Sequence, residues 1–208
     1  MKLLLYIALI LNLIIIVCEI WTISKIRNKI DVIKYYTFLQ NFLALITSIV
    51  FSAYLIGNIF FDITIPDYVR GFRYVATCGL VTTTFIFVAF LSSKSKNLLT
   101  EKDFKDKVNP KRANIILHYF CPLVSLVSFV LFERQILLTK TEWTGYAAIP
   151  SCLYWGIYLF LSLTKLWEEP YDFTTGKNEK SSSLLEILTM IILPLSFIFI
   201  SFVLWNIR

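Results

Sequence analysis

Residues 35–61, YYTFLQNFLALITSIVFSAYLIGNIFF, run for 27 positions without an Asp, Glu, Lys or Arg. As an α-helix such a run is about 40 Å long at 1.5 Å per residue, enough to cross a hydrocarbon layer of roughly 30 Å. A charge at mid-membrane costs about 2.5–3.5 kcal/mol on insertion scales, so charge-free runs of this length are what a bilayer selects. Five further runs share the property: 3–18, 74–93, 113–132, 143–164 and 187–207. Six runs predict an all-α fold, a polytopic membrane bundle of six transmembrane helices over 3–23, 36–60, 74–93, 114–132, 145–164 and 185–206. They make one transmembrane domain of residues 1–208.

Composition agrees. Of 208 residues 57% are hydrophobic and 16% charged, against roughly a quarter charged in a soluble domain. The first run, preceded by Lys2, also has the outline of a signal peptide. Its apolar stretch continues past Glu19 through Ile20, Trp21 and Ile23, and no small-x-small site follows, so a retained span is expected. The four cysteines, Cys18, Cys78, Cys121 and Cys152, all fall in predicted spans and serve as small apolar packers, with no C-x-x-C pattern. The single histidine, His118, excludes a multi-histidine metal site. No cofactor is implied.

With six spans, the odd-numbered loops lie on one face, and the termini and even-numbered loops on the other. The odd loops carry fourteen Lys and Arg, the opposite face six, counting Lys2, Arg70, Arg73, Arg134, Lys140 and Arg208. The positive-inside rule then makes the odd loops cytoplasmic. The net charge of +6 follows from that topology. Its densest cluster, Lys94 to Arg112, is diluted by Glu101, Asp103 and Asp106, and nothing beside it stacks on or reads bases, so nucleic acid is not an expected partner. Anionic lipid headgroups are. There is no internal repeat, glycine-rich loop or low-complexity segment, and any function belongs to the bundle or its rims.

Inside a bilayer a polar side chain is tolerated facing another helix or a cavity, so its azimuth is informative. At about 100° per residue, Thr37, Asn41, Ser48 and Ser52 fall within an arc of roughly 60°, one stripe along the second span. In the fourth, His118, Pro122, Ser125 and Asn114 lie within a similar arc, as do Tyr154, Tyr158, Ser162 and Lys165 in the fifth. For Ser48, Ser52 and Ser125 ordinary interhelical hydrogen bonding is the favoured explanation. Thr37 and His118 differ, because spans two and four start from the same face and both residues lie about one turn inside. A hydroxyl beside an imidazole is the minimal nucleophile and base, the hydroxyl being a poor nucleophile until its proton is taken. A histidine held by hydrogen bonds for structure alone is the competing account.

Three segments carry a resemblance. Lys34-Tyr35-Tyr36-Thr37-Phe38-Leu39, with Asn41 following, resembles the signature opening span two in the androgen-induced-gene family of membrane threonine hydrolases and its bacterial six-span relatives. Leu117-His118-Tyr119-Phe120-Cys121-Pro122 is similar to the family's histidine shortly before a proline in span four. Tyr154 and Tyr158, followed by Trp167, Pro170, Tyr171 and Phe173, make a weaker third match. The resemblance implies hydrolysis of lipid esters of the fatty-acid-ester-of-hydroxy-fatty-acid type in a bacterial cell membrane, Thr37 being the nucleophile and His118 the base and then the acid. Asn41 would orient the hydroxyl or donate to an oxyanion. Tyr36, Tyr119, Tyr154, Tyr158 and Trp167 would line an acyl-ester substrate entering from the leaflet. No acidic residue adjoins His118 in sequence, leaving Glu168, Glu169, Asp172, Glu19 or Glu186 to orient its ring in three dimensions. The alternative expectation is a non-catalytic lipid-binding or transport protein using the same polar stripe.

Overall fold

A computed structural model describes residues 2–26, 33–91, 110–133, 140–166 and 183–207, and the described chain is all-helical. We number its helical rods in chain order. Helix α1 is Lys2–Lys25, α2 is Tyr36–Phe61, and α3 covers 67–91, its last turn, Phe87–Leu91, being a π-turn. Helix α4 covers 110–132, with π-turns at Ile116–Phe120 and Ser128–Phe132. Helices α5 (Trp143–Leu163) and α6 (Ser183–Ile207) each contain a proline, Pro150 and Pro194.

Among the described residues, four helical stretches are long and apolar enough to cross a membrane: Lys2–Lys25, Tyr36–Phe61, Asp67–Ala89 and Lys111–Phe132. Their outward faces are apolar. On α1, Leu3, Ile10, Leu13, Val17 and Ile20 are exposed, while Asn12, Glu19 and Thr22 are buried. Water would penalise that arrangement on both sides, whereas hydrocarbon outside and polar partners inside remove the penalty. The fold is thus compatible with a membrane protein.

The buried side of α1 is a regular seam: Leu5, Ala8, Asn12, Ile15, Glu19, Thr22 and Ile26 alternate spacings of three and four. This is the period that keeps one stripe of a helix against its neighbours. Leu5 and Ala8 pack with Phe51, Leu55 and Ile59 of α2, and Ile26 packs with Phe38 and with Ala113 and Leu117 of α4. The two contact sets make α1 antiparallel to both. Helix α2 stops at Asp62, whose left-handed backbone (φ 53°) turns its N–H back onto the Gly57 carbonyl. Aspartate is among the few residues that adopt this conformation routinely. Pro66 then precedes α3, and Asp67 sits in the first turn, where the helix dipole favours an anion.

Helix α3 therefore starts seven residues before the predicted span at 74, and Arg73 lies well inside it instead of in a loop. The early start is stabilised by close helix contact. A Cβ on Gly71 would overlap the indole of Trp143 in α5, which itself donates to Asp67 Oδ2 at 3.3 Å. Tyr36, Ile86, Phe87, Trp155, Tyr158, Leu193 and Phe197 form one apolar cluster joining α2, α3, α5 and α6.

Candidate functional site

Thr37 and His118 meet. Thr37 Oγ1 is 3.1 Å from His118 Nε2, and the two residues are only 7% and 4% exposed. The other ring nitrogen, Nδ1, lies 2.9 Å from the Asn114 carbonyl oxygen, one turn back on α4. A carbonyl only accepts, so Nδ1 carries a hydrogen. In the neutral ring Nε2 then presents its lone pair to Thr37, and the hydroxyl donates to it. The group that orients the imidazole is a backbone carbonyl. Glu19, one of the acidic candidates, has no hydrogen-bond partner among the described residues. Glu168, Glu169 and Asp172 lie outside the described residues, as does the side chain of Glu186.

The local backbone follows from Pro122. Having no N–H, it offers no donor to the carbonyls of the preceding turn. The helix responds with a π-turn over Ile116–Phe120, in which the Cys121 N–H reaches back five residues to the Ile116 carbonyl. Two carbonyls within this turn accept side chains from other helices. Thr84 Oγ1 of α3 donates to the His118 carbonyl at 2.6 Å, and Asn41 Nδ2 of α2 donates to the Leu117 carbonyl at 3.4 Å. A single-turn π-bulge is a common way to place a functional side chain. Here it fixes His118 from both neighbouring helices.

Asn41 also donates to the Thr37 carbonyl at 2.7 Å. Its Nδ2 thus donates to two carbonyls, and in this geometry Asn41 supports the site by tying α2 to α4. Its Oδ1 is buried and has no hydrogen-bond partner among the described residues.

The expected lining residues divide into two groups. Tyr36, Tyr154 and Tyr158 belong to the apolar cluster between α2, α3, α5 and α6. Tyr36 OH is 2.6 Å from Ser151 Oγ, and Tyr154 OH donates to the Lys34 carbonyl at 2.6 Å, bonds that seat the start of α2. Tyr119 is 40% exposed on the outer surface. Phe87 connects the two regions: its ring centroid is 4.4 Å from that of His118 and 5.3 Å from that of Tyr119. Trp167 lies outside the described residues.

A second polar cluster, at the opposite end of the same helices, was not expected from the sequence. Arg73 is fully buried and pairs with Glu133 at 3.1 Å. Arg73 Nη1 donates to Thr77 Oγ1 (2.9 Å) and Ser125 Oγ (2.8 Å). Asn12 Nδ2 (3.1 Å) and Ser128 Oγ (2.6 Å) donate to the same Glu133 oxygen. One ion pair and its hydrogen bonds therefore join α1, α3 and α4. The usable signal was Asn12, a polar residue on the three-four seam of α1, which needed a partner. Among the described residues no group of three or more His, Cys, Asp and Glu could hold a metal ion.

Neither a family model, nor a curated protein, nor a solved structure matches this chain.

Proposed function

We propose that the chain is a six-span integral membrane protein that hydrolyses lipid esters, with Thr37 as nucleophile and His118 as general base and acid. The observation that carries the proposal is the hydrogen bond of Thr37 to a histidine whose opposite nitrogen is committed to the Asn114 carbonyl. This is the relation of nucleophile, base and orienting group that hydrolytic triads share, with a carbonyl as the third member. Burial supports it too, since a proton transfer shielded from bulk solvent keeps its partners fixed.

In this mechanism Thr37 Oγ attacks the ester carbonyl carbon while its proton passes to Nε2. The tetrahedral intermediate collapses, breaking the bond to the alcohol oxygen, which leaves with the proton from His118. Water then attacks the acyl-Thr37 carbonyl, giving a proton to Nε2, and Thr37 Oγ departs, taking that proton back. The fatty acid is released and both residues return to their starting state. An acyl chain from the lipid approaches the hydroxyl past exposed Tyr119, whose ring packs on Phe87 beside His118. The resemblance to the androgen-induced-gene family and its bacterial relatives supports this substrate class. A bacterial cell membrane with the odd-numbered loops cytoplasmic completes the proposal.

The second reading, a non-catalytic lipid-binding or transport protein, draws on the near-complete burial of both residues. Fluorophosphonate labelling separates the two. A hydrolase labels at Thr37, cleaves long-chain acyl esters, and loses both properties in Thr37→Ala. A folded protein that neither labels nor cleaves such esters is the non-catalytic one.

A further inference from the structure

Several buried polar atoms between the two clusters have no hydrogen-bond partner among the described residues. They are both carboxyl oxygens of Glu19, the hydroxyls of Ser48 and Ser52, and the side-chain oxygens of Asn12 and Asn41. These residues are at most 4% exposed. Serine in a helix ordinarily satisfies its hydroxyl on a carbonyl one turn back, as Thr47 does next to Ser48. Ser48 and Ser52 do not.

Their positions form a line. Thr37 and Asn41 reach α4 at His118 and Leu117, so the azimuth they share with Ser48 and Ser52 faces α4. At the far end of that stripe, the Arg73 guanidinium lies 6.0 Å from the ring of Phe51. On α1, Asn12 bonds to Ser128 and Glu133, and Glu19 follows seven residues later on the same seam, about 10 Å nearer to His118. There it lies beside the Cys121 thiol, outside hydrogen-bond geometry. Buried polar groups in native proteins are satisfied by protein or by ordered water, and a buried water needs two to four such partners. Helices α1 and α2 supply them along one line.

We propose that a column of ordered water between α1, α2 and α4 connects the Arg73–Glu133 cluster to Thr37 and His118, with Glu19 at its midpoint. This deepens the hydrolase proposal and rests on it in one respect: the column delivers the water that cleaves acyl-Thr37. An ester can enter from the lipid, but Thr37 and His118, although about one turn from the rim, are only 7% and 4% exposed, so water needs a polar path through the bundle.

Two measurements test it on the full-length protein in lipid nanodiscs. X-ray hydroxyl-radical footprinting compares Cys121 with Cys78, which are equally buried (0% and 2% exposed). Cys78 sits in an apolar cluster with Tyr74, Phe129 and Leu204. Ordered water beside Cys121 makes it oxidise at least several times faster than Cys78; equal protection overturns the column, whatever the protein catalyses. The second measurement uses Ser48→Val/Ser52→Val and Glu19→Leu. Fluorophosphonate capture of Thr37 is expected at the wild-type rate, while hydrolysis falls about tenfold or more and acyl-enzyme accumulates, because deacylation alone consumes water. Wild-type hydrolysis in both variants overturns the delivery role. Absence of Thr37 labelling in the wild type overturns the hydrolase proposal instead, leaving the footprinting result to decide the column.

Discussion

A carbonyl oxygen cannot donate, and that single asymmetry gives His118 its direction. With Nδ1 held by the Asn114 carbonyl, Nε2 is aimed at Thr37 with no carboxylate on the ring among the described residues, which is why scanning the sequence for an acidic neighbour found only candidates. Removing the imidazole in His118→Ala should lower ester turnover by about 10²- to 10⁴-fold, the range for losing a positioned general base, with labelling of Thr37 slowed in parallel. Thr37→Ser retains the hydroxyl and should keep labelling and turnover, whereas Thr37→Ala should show neither; turnover by Thr37→Ala equal to wild type would make Thr37 a bystander. Thr37 and His118 were legible as a pair because each is a polar residue one turn inside a charge-free run. Asn114 was legible only as a member of the stripe, since its contribution comes from a backbone atom that every residue possesses.

At the scale of elements, helix contact is set by small residues as much as by large ones. Helix α3 approaches α5 where Gly71 lies under the Trp143 indole, and approaches α2 where a Cβ on Gly79 would collide with Gln40 Oε1. Indole is rigid and wedged at a helix start, while the amide end of glutamine can swing aside. Gly71→Ala should therefore destabilise the fold by about 1–3 kcal/mol, the range for overpacking. Gly156→Ala on α5, where an added Cβ meets nothing within 4 Å, should leave stability unchanged. Thermal unfolding in one detergent compares the two directly, and equal melting temperatures would refute the account of the α3–α5 contact. The helices were legible from charge-free runs, but the start of α3 was not. Arg70 and Arg73 moved the expected boundary to residue 74, because an unpaired arginine is too costly inside a span. The chain pairs Arg73 instead of excluding it.

For the molecule as a whole, that pairing spans 60 residues of sequence, from Arg73 to Glu133, and no local pattern announces it. Each member alone resembles a loop charge. Together with Asn12, Ser125 and Ser128 they connect three helices at the end opposite Thr37 and His118, so the site at one end is held by packing that is fixed at the other. The energetics of a buried pair are asymmetric. Removing one member leaves an uncompensated charge and costs about 3–5 kcal/mol, while replacing both with apolar residues of similar volume is often neutral. Arg73→Met should therefore unfold at markedly lower temperature, as should Glu133→Met, and the double variant should recover most of the loss. If the cluster were also needed for water to reach Thr37, recovery of stability would come without recovery of hydrolysis: the double variant would be folded, capture fluorophosphonate at Thr37 and turn over slowly. A double variant restored in both stability and turnover would confine the pair to a structural role and move the entrance of the water column nearer to Glu19.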